Sequence, residues 1–463
     1  GHGTQAGKTF YLSTEDGNMN ASGTGRRTYV HWLEVGEDND IPREKGWWVV
    51  EVAPQTPEGT GDVPGRTLLY RTSALEYHYR IPSIVTANNG DVIVASDYRF
   101  HSNADVGTNW TNWDGEAWRN YTYGHQIDLH TRRSVDNGKN WEEAINRTEG
   151  LSVAPDFNTQ TYANGYGDPA MVADRESDDV LLVSVSGYKG YVTDGNEASY
   201  MLSKDNGATF ENPVNLSEQL YGRFNSNSEY YDSNLAGQRL TKFFFASGRI
   251  HQSRYIKVGT HYRIYSAVLA NYTTNCNYVL YSDDFGKNWY VLGNTTAIPS
   301  GGDEAKIEEL PNGDVVITSR IVKGRKVNIF KYDKNDATYK TGSWGTATDM
   351  NIAPDCNNAC NGETYVVYAK DVATGEYGYV ILQSLPTSTG RSGIRIMYRW
   401  LDPEAELSVS EFADASKWST VSDSFLLQDG KSCYSTMILQ ADGKIGVVWE
   451  EGVHEYDIVY KAL

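Results

Sequence analysis

The chain has 463 residues and carries 41 lysines and arginines against 60 aspartates and glutamates, which gives a net charge of −19. This acidic balance argues against nucleic acid or an anionic membrane surface as the main partner, because both would be repelled. The sequence contains no apolar stretch long enough to span a membrane. Its 44 glycines, 33 tyrosines and 12 tryptophans favour short strands, tight turns and aromatic faces that suit a polar, sugar-like ligand.

The first 66 residues differ from the rest. Residues 46–52 have a strand pattern, and residues 53–65, rich in Pro, Gly and Thr, are typical of a linker. We therefore expect a short β-rich extension and linker over residues 1–66, either a truncated sandwich or a set of strands packed on a main domain over 67–463. The start of the chain lacks the basic and then apolar order of a signal peptide, so we expect that an export signal was removed.

One unit recurs after residue 66: an apolar strand, a polar turn and a second apolar strand. Residues 81–96 turn at 88–91, and residues 307–319 turn at 311–314. Further turns are expected near residues 176–178, 374–375 and 442–443. Helical periodicity is scarce, and the 397 residues after position 66 divide into six units of about 66 residues, the size of a propeller blade with insertions. The sequence predicts an all-β, six-bladed β-propeller.

Three segments share the pattern Ser-x-Asp-x-Gly-x-x-aromatic. They begin at Ser134, Ser203 and Ser282 and end at Trp141, Phe210 and Trp289. The pattern indicates a turn, because the Asp can accept hydrogen bonds from nearby backbone amides and the Gly can adopt a positive φ. The closing aromatic residue can pack between neighbouring strands. Three copies favour a repeat of β units over chance.

Polar and charged residues recur about one strand length from the first turn of several units. In an antiparallel unit, the start of the first strand and the end of the second lie at the same end, opposite the turn between them. The residues placed at that end are Arg80, Asp168, Glu304 and Tyr434 before the turns, and Arg99, Arg320 and Glu450 after them. We expect them to form one ring, with the three Ser-x-Asp segments at the opposite end of the propeller.

The four cysteines are Cys276, Cys356, Cys360 and Cys433. They contain no Cys-x-x-Cys pair and no histidine cluster accompanies them, so we expect no zinc site. Cys356 and Cys360 could close a small disulfide loop, but free buried thiols are the favoured interpretation.

The segment Tyr79-Arg80-Ile81-Pro82 resembles the Arg-Ile-Pro motif of the sialidase (exo-α-neuraminidase) family, and the three Ser-x-Asp segments resemble its Asp-boxes. The similarity extends in chain order from Tyr79 to Glu450. It implies a retaining exo-α-sialidase, which hydrolyses terminal sialic acids through a tyrosyl-sugar intermediate without a cofactor or a metal. The chain departs from the family pattern at Tyr79, where Phe is common, at Phe210, and in lacking a recognisable fourth box. These changes affect the packing of the blades and leave the chemistry intact.

The resemblance also implies a role for each residue of the ring. Tyr434 would be the nucleophile, Glu304 its base and Asp105 the acid/base. A carboxylate clamp would comprise Arg80, Arg320 and Arg391, with Arg395 and Arg399 as alternatives to Arg391. Arg99 and Asp168 would face the sugar's O4, and Glu450 would orient Arg80. Arginines suit such a clamp because each offers forked, charge-assisted hydrogen bonds to a carboxylate.

Two other functions stay open at this point. A sialic-acid lectin needs the arginines but not Tyr434, Glu304 and Asp105, whereas a trans-sialidase or an intramolecular trans-sialidase needs all of them. The expected partners are sialylated glycans of glycoproteins, mucins or glycolipids, and no nucleic acid. We expect a secreted, periplasmic or cell-surface protein. Residues 245–254 and 303–306 look most similar to sialidases of gut-dwelling bacteria, so we expect a bacterial source.

Overall fold

In the computed structural model, the described residues are 65–463 without 74–75, 109–123, 155–162, 192, 272–274, 372–373, 403–405 and 453–455. The backbone of six further strands is also described: His2–Gln5, Lys8–Asp16, Thr28–Glu34, Asp62–Val63, Trp110–Trp113 and Trp118–Tyr121. The chain forms two compact units, Gly1–Gly59 and Thr60–Leu463. The strand expected over residues 46–52 and most of the expected linker lie outside the described residues.

The described strands of the first unit form an antiparallel sheet. Its strands are β1 (His2–Gln5), β2 (Lys8–Asp16) and β3 (Thr28–Glu34), in the order β1-β2-β3.

The second unit contains four sheets of four or five strands, one of eight and a separate hairpin. It begins with β4 (Asp62–Val63) and β5 (Arg66–Tyr70). The first sheet contains β6 (Tyr77–Thr86), β7 (Val92–Phe100), β10 (Ile127–Ser134) and β11 (Ile145–Asn146), and the hairpin β8 (Trp110–Trp113) and β9 (Trp118–Tyr121) lies within it in sequence. The second sheet contains β12 (Gly165–Ala173), β13 (Val180–Gly187), β14 (Glu197–Ser203), β15 (Val214–Asn215) and β17 (Gly248–Arg249).

The remaining sheets follow in chain order. The third contains β16 (Phe243–Phe245), β18 (His251–Val258), β19 (His261–Asn271), β20 (Asn275–Ser282) and β21 (Tyr290–Val291). The fourth contains β22 (Ala305–Glu309), β23 (Val315–Ile321), β24 (Gly324–Tyr332), β25 (Gly342–Trp344) and β26 (Thr348–Met350). The eight-stranded sheet contains β27 (Thr364–Lys370), β28 (Tyr377–Ser388), β29 (Ser392–Leu401), β30 (Phe425–Leu439), β31 (Ile445–Glu451) and β32 (Asp457–Ala462), and continues through β5 to β4.

Helix is minor, as the sequence predicts: strand makes up 50% of the chain and helix 6%. The helices of the described part of the chain are α1 (Ser217–Gly222), α2 (Val409–Ala413) and three 3-10 turns at Ser233–Leu235, Leu292–Asn294 and Ala415–Lys417. Among the described residues, no helix is long and apolar enough to cross a membrane.

Successive sheets pack face to face because alternate residues of each strand point to opposite sides. In β7, Val92 and Val94 pack with Val448 of β31, whereas Ile93 packs with Met171 of β12. The first sheet therefore lies between the second sheet and the end of the eight-stranded sheet. Further apolar clusters join the second sheet to the third, the third to the fourth, the fourth to β27–β29, and β29 to β30–β32.

The three Ser-x-Asp segments adopt one turn, and they connect β10 to β11, β14 to β15 and β20 to β21. In the first, the Gly138 amide donates to Ser134 Oγ at 2.8 Å and the Asn140 amide donates to Asp136 Oδ1 at 2.8 Å. The same two distances recur in the other two segments. Gly138 has a φ of 80°, and a Cβ there would lie 2.1 Å from Tyr460 Oη, so glycine is required on both grounds.

Candidate functional site

Irregular strand pairing places several residues of the expected ring. The register shifts between Arg80 and Ser83 in β6, between Gly167 and Ala170 in β12, and between Ser432 and Ser435 in β30. Ile81 and Asp168 have positive φ angles of 57° and 56°. A bulge redirects the side chains beside it, and these three bulges occur where Arg80, Asp168 and Tyr434 leave the regular sheet pattern.

Tyr434 and Glu304 form the centre of the site. The Tyr434 hydroxyl donates to Glu304 Oε1 at 2.5 Å, although the two residues lie 130 positions apart in sequence. Arg320 Nη1 donates to Glu304 Oε2 at 2.7 Å and to the Tyr434 oxygen at 3.1 Å. Asp303 lies 3.5 Å from Arg320 Nε. The phenol is therefore held between a carboxylate that can accept its proton and a guanidinium that can stabilise negative charge on its oxygen.

The surroundings keep this phenol neutral in the free protein. Burial raises the pKa of Tyr434 well above its ordinary value, and the nearby Glu304 carboxylate adds to the increase, while Arg320 opposes it. A phenolate is thus not present in advance. Attack by the Tyr434 oxygen on an electrophile would require its proton to move to Glu304 at the same time.

Arg80 is fixed by Glu450. Arg80 Nε donates to Glu450 Oε1 at 2.7 Å and Nη2 donates to Oε2 at 3.3 Å. The Glu450 carboxylate also accepts from the backbone amides of Ile81 and Tyr434. Burial alone would raise the pKa of Glu450, but Arg80 and these donors hold it below its ordinary value. The Arg80 guanidinium lies 5.5 Å from the Tyr434 ring centre, so Glu450 positions both groups.

Arg391 approaches the same centre from the turn between β28 and β29. It has a φ of 60°; its Nε donates to Asn358 Oδ1 at 3.0 Å and its Nη1 to Cys433 Sγ at 3.3 Å. The two alternatives are engaged elsewhere. Arg395 donates to the Ser424 carbonyl, and Arg399 donates to two carbonyls of α2. The structure therefore brings Arg391 beside Cys433, the residue before Tyr434, and gives Arg395 and Arg399 other contacts.

Arg99 organises a second group of acidic residues. Asp97 Oδ2 accepts from Arg99 Nε at 3.0 Å and from Nη2 at 2.8 Å, and Asp97 Oδ1 accepts from the Asp168 amide at 2.8 Å. The Asp168 carboxylate is 3.9 Å from Arg99. Burial raises the pKa of Asp97 to about 6 despite Arg99, and burial and the Asp97 charge raise the pKa of Asp168 well above its ordinary value.

Asp105 joins this group from an exposed loop. Its Oδ1 accepts from Arg99 Nη1 at 2.6 Å, and its side chain is 68% exposed. Desolvation raises the pKa of Asp105, but Arg99 and then Arg80 outweigh it, so the net shift is downward. The carboxylate is ionised in this arrangement. An acid role would require Asp105 to leave Arg99 and gain a proton.

Asn103 connects the two groups. Its side-chain oxygen accepts from Arg80 Nη1 at 2.9 Å, while its backbone oxygen accepts from Arg99 Nη1 at 2.9 Å. His125 holds the same loop through the carbonyls of Phe100 and Ala104. Asn103 therefore occupies one of the donors that the sequence assigns to a substrate carboxylate.

Sequence reasoning missed several residues of this arrangement. Asp97 had a readable signal, because positions 97 and 99 lie on the same face of a strand. Asn103, Asn358 and Cys433 had no such signal, because neither an amide in a loop nor a buried thiol belongs to a recognisable sequence pattern. All four cysteines are buried and unlinked in the structure. No group of potential metal ligands occurs among the described residues.

The relatives found by comparison with known proteins are sialidases. No family model matches the chain. A sialidase of Bacteroides fragilis is 24% identical over 411 residues, which cover 81% of this chain and 60% of the relative. A sialidase of Micromonospora viridifaciens is 24% identical over 403 residues, which cover 81% of this chain and 50% of the relative. The chain thus spans about half to three-fifths of these curated relatives.

The fold is similar to solved sialidase structures. The intramolecular trans-sialidase of Ruminococcus gnavus, solved in complex with oseltamivir carboxylate, aligns with a TM-score of 0.55 and 16% sequence identity. The alignment covers 86% of this chain and 97% of that one.

Proposed function

We propose that this chain is a retaining exo-α-sialidase that hydrolyses terminal sialic acids from sialylated glycans through a covalent tyrosyl-sugar intermediate. The observation that carries the proposal is the 2.5 Å hydrogen bond from Tyr434 to Glu304 among arginines. The 24% identity to two sialidases supports the substrate class. The scaffold would be a six-bladed β-propeller. The eight-stranded sheet would supply two blades, with the boundary between β29 and β30, and β5 would complete the sixth blade. The cyclic packing of the sheets supports this interpretation.

Binding would begin at the sugar carboxylate. Arg80, Arg320 and Arg391 would hold it, because forked guanidinium donors match a carboxylate better than lysines do. Glu450 would keep Arg80 in position. The substrate carboxylate would displace Asn103 from Arg80 Nη1. Arg99 and Asp168 would then face O4 of the sugar.

The negative carboxylate beside the anomeric carbon explains a tyrosine nucleophile. An anionic Asp or Glu would be repelled there, whereas the neutral Tyr434 phenol can approach. As its oxygen attacks the anomeric carbon, its proton passes to Glu304 and the glycosidic oxygen leaves with a proton from Asp105. Asp105 would then deprotonate a water that attacks the same carbon, while Glu304 returns its proton to the departing Tyr434 oxygen. Two displacements give net retention.

Asp105 needs a proton for the first step. Its bond to Arg99 favours the ionised form in the free protein. We infer that substrate engages Arg99, frees Asp105 and excludes water from around it, and each change raises the pKa of the carboxyl. Substrate binding would thus create the acid.

Trapping the intermediate tests the proposal. A fluorinated sialosyl fluoride slows the second step because it destabilises the oxocarbenium-like transition state, so the adduct accumulates. Digestion and mass spectrometry should place the added mass on Tyr434, with no adduct in Tyr434→Phe. Tyr456→Phe is a matched control, because this ring also lies against Arg80, at 4.8 Å, yet should still allow trapping. An adduct on another residue, or a Tyr434→Phe variant with wild-type hydrolysis, contradicts the mechanism.

Transfer is the second candidate, and the fold similarity to an intramolecular trans-sialidase favours keeping it. The same residues serve both reactions, and only the acceptor differs. Proton NMR of the products from α2,3- and α2,6-sialyllactose separates free sialic acid, an anhydro sugar and a transferred sialoside. A chain that binds sialic acid but makes none of these would instead be a lectin. The proposed setting is secreted, periplasmic or cell-surface.

A further inference from the structure

Two buried thiols lie next to each other beside Tyr434. Cys360 Sγ and Cys433 Sγ are 2.7 Å apart, although the residues are separated by 73 positions in sequence. Cys360 is 2% exposed and Cys433 is 0% exposed. A disulfide bond is about 2.0 Å long, so a movement of about 0.7 Å would bring the two sulfur atoms to bonding distance.

The pair lies between two parts of the site. Cys433 precedes Tyr434 in β30, and its sulfur accepts from Arg391 Nη1 at 3.3 Å. Cys360 belongs to the segment after β26, in which Asn358 accepts from Arg391 Nε. Both cysteines pack in one apolar cluster with Ile81, Tyr434 and Tyr456. A covalent bond here would join the nucleophile strand to the segment that positions Arg391.

The other possible pairings fit less well. Cys356 is the nearest cysteine to Cys360 in sequence, but it packs in the apolar cluster between the fourth sheet and β27–β29. Cys276 packs in the cluster between the second and third sheets. Among the described contacts, only the sulfurs of Cys360 and Cys433 face each other at short distance.

We propose that Cys360 and Cys433 form a disulfide when the chain folds in the presence of a disulfide donor, and that the bond anchors Tyr434 and Arg391. One thiolate attacks a sulfur of the donor, RSSR, and releases RS⁻. The second thiolate then attacks the resulting mixed disulfide and releases another RS⁻. The cysteines lose two electrons and two protons, and the donor becomes two RSH.

Oxidation should precede complete folding. Neither sulfur is accessible to a donor once β30 is packed. Burial also raises the pKa of Cys360 well above its ordinary value, which leaves little thiolate to react. Whether the bond is present would therefore depend on the redox conditions during folding.

Peptide mapping tests the linkage. The full chain is prepared once by export to an oxidising compartment of the host and once in a reducing cytoplasm. Each native sample is quenched in acid, unfolded, alkylated without reductant, digested and analysed by mass spectrometry. The exported protein should yield one linked pair, Cys360 with Cys433, and alkylated Cys276 and Cys356. Four alkylated cysteines in the exported protein, or a link from Cys360 to Cys356, would overturn the proposal.

Thermal unfolding tests the anchoring. Reductant present during unfolding should lower the midpoint of the exported wild type by about 5 °C, because the bond closes a long loop of the unfolded chain. Cys360→Ala should show no such shift, whereas the control Cys276→Ala should keep it. If the disulfide-linked wild type has the same unfolding midpoint with and without reductant, the bond does not anchor the site. Both measurements are independent of sialoside hydrolysis, so they can fail without affecting the proposed function.

Discussion

On one side of the candidate site, Tyr434, Glu304 and Arg320 are buried or half-buried and share hydrogen bonds of 2.5 to 3.1 Å. On the other side, Asp105 extends from a loop with a side chain that is 68% exposed, and its pKa is lowered by its partner Arg99. The first side is organised for attack before substrate arrives. The second holds Asp105, the proposed acid, in its ionised form in the free protein. We infer that binding energy is used mainly to complete the Asp105 side.

The largest effect should come from removing the base. Glu304→Gln should lower kcat about 1000-fold, since the amide cannot accept the phenolic proton as Tyr434 attacks. The matched control is Asp303→Asn, whose carboxylate contacts Arg320 at 3.5 Å and should cost less than about tenfold. Steady-state kinetics with sialyllactose measures both. Equal losses in the two variants would contradict the role of Glu304.

Asp105→Ala should discriminate between leaving groups. We expect kcat/KM for sialyllactose to fall about 100-fold, but kcat/KM for an aryl sialoside with an acidic phenol to fall less than about tenfold. The aryl oxygen needs little protonation in order to leave. Thr108→Ala in the same loop serves as the control. Equal losses on both substrates would remove Asp105 from the acid role.

Asp97 should make the Arg99 side sensitive to pH. Its pKa of about 6 exceeds the usual value, so between pH 4 and 6 the folded chain binds a proton that the unfolded chain does not. Relative to Asp97→Asn, the wild type should therefore lose stability as pH rises through this window, by about 3 °C in midpoint. Thermal scans from pH 4 to 7 measure the difference.

The exposed residue Asp349 provides the control for that experiment. Its carboxylate pairs with Lys326 and is 50% exposed, so Asp349→Asn should not reproduce the slope. A wild-type advantage that grows with pH would contradict the direction of the Asp97 shift.

Variants of Arg391 test the proposed carboxylate clamp on the buried side of the site. Arg391→Ala should raise KM for sialyllactose about 30-fold and slow turnover, because one forked contact to the carboxylate is lost. Arg391→Lys should recover part of the affinity, since it restores the charge without the fork. Arg395→Ala is the control and should match the wild type. Unchanged kinetics for Arg391→Ala would transfer the role to Arg395 or Arg399.

Replacing Asn103 should give the smallest change in KM, and here KM should fall. Its amide oxygen occupies Arg80 Nη1 in the free protein, so substrate must compete with it. Asn103→Ala should lower KM about threefold, because a larger fraction of the free protein can bind. Ser102→Ala leaves the Arg80 contact intact and should not change KM. A raised KM for Asn103→Ala would mean that Asn103 supports binding.

The sequence predicted much of the architecture because local patterns repeat. Alternating apolar strands and the three Ser-x-Asp segments depend on near neighbours, and their turns agree in hydrogen-bond geometry to the stated distances. Counting one strand length from each turn also identified Arg80, Asp168, Glu304 and Tyr434, because antiparallel pairing fixes which end a residue occupies. The bulges beside three of these residues were not predicted, since an extra residue in a strand has no signature in a single chain.

Tertiary structure decided the contacts that no spacing encodes. The sequence assigned the third arginine to Arg391, with Arg395 and Arg399 as alternatives, and only the packing of the segment containing Asn358 places Arg391 beside Cys433. The sequence favoured free thiols, with a loop between Cys356 and Cys360 as the other possibility, whereas the fold places the Cys360 sulfur beside that of Cys433. Composition and local pattern determine strands and turns because those depend on neighbouring residues. Charge state and pairing in the site depend on burial and on groups brought together from distant parts of the chain.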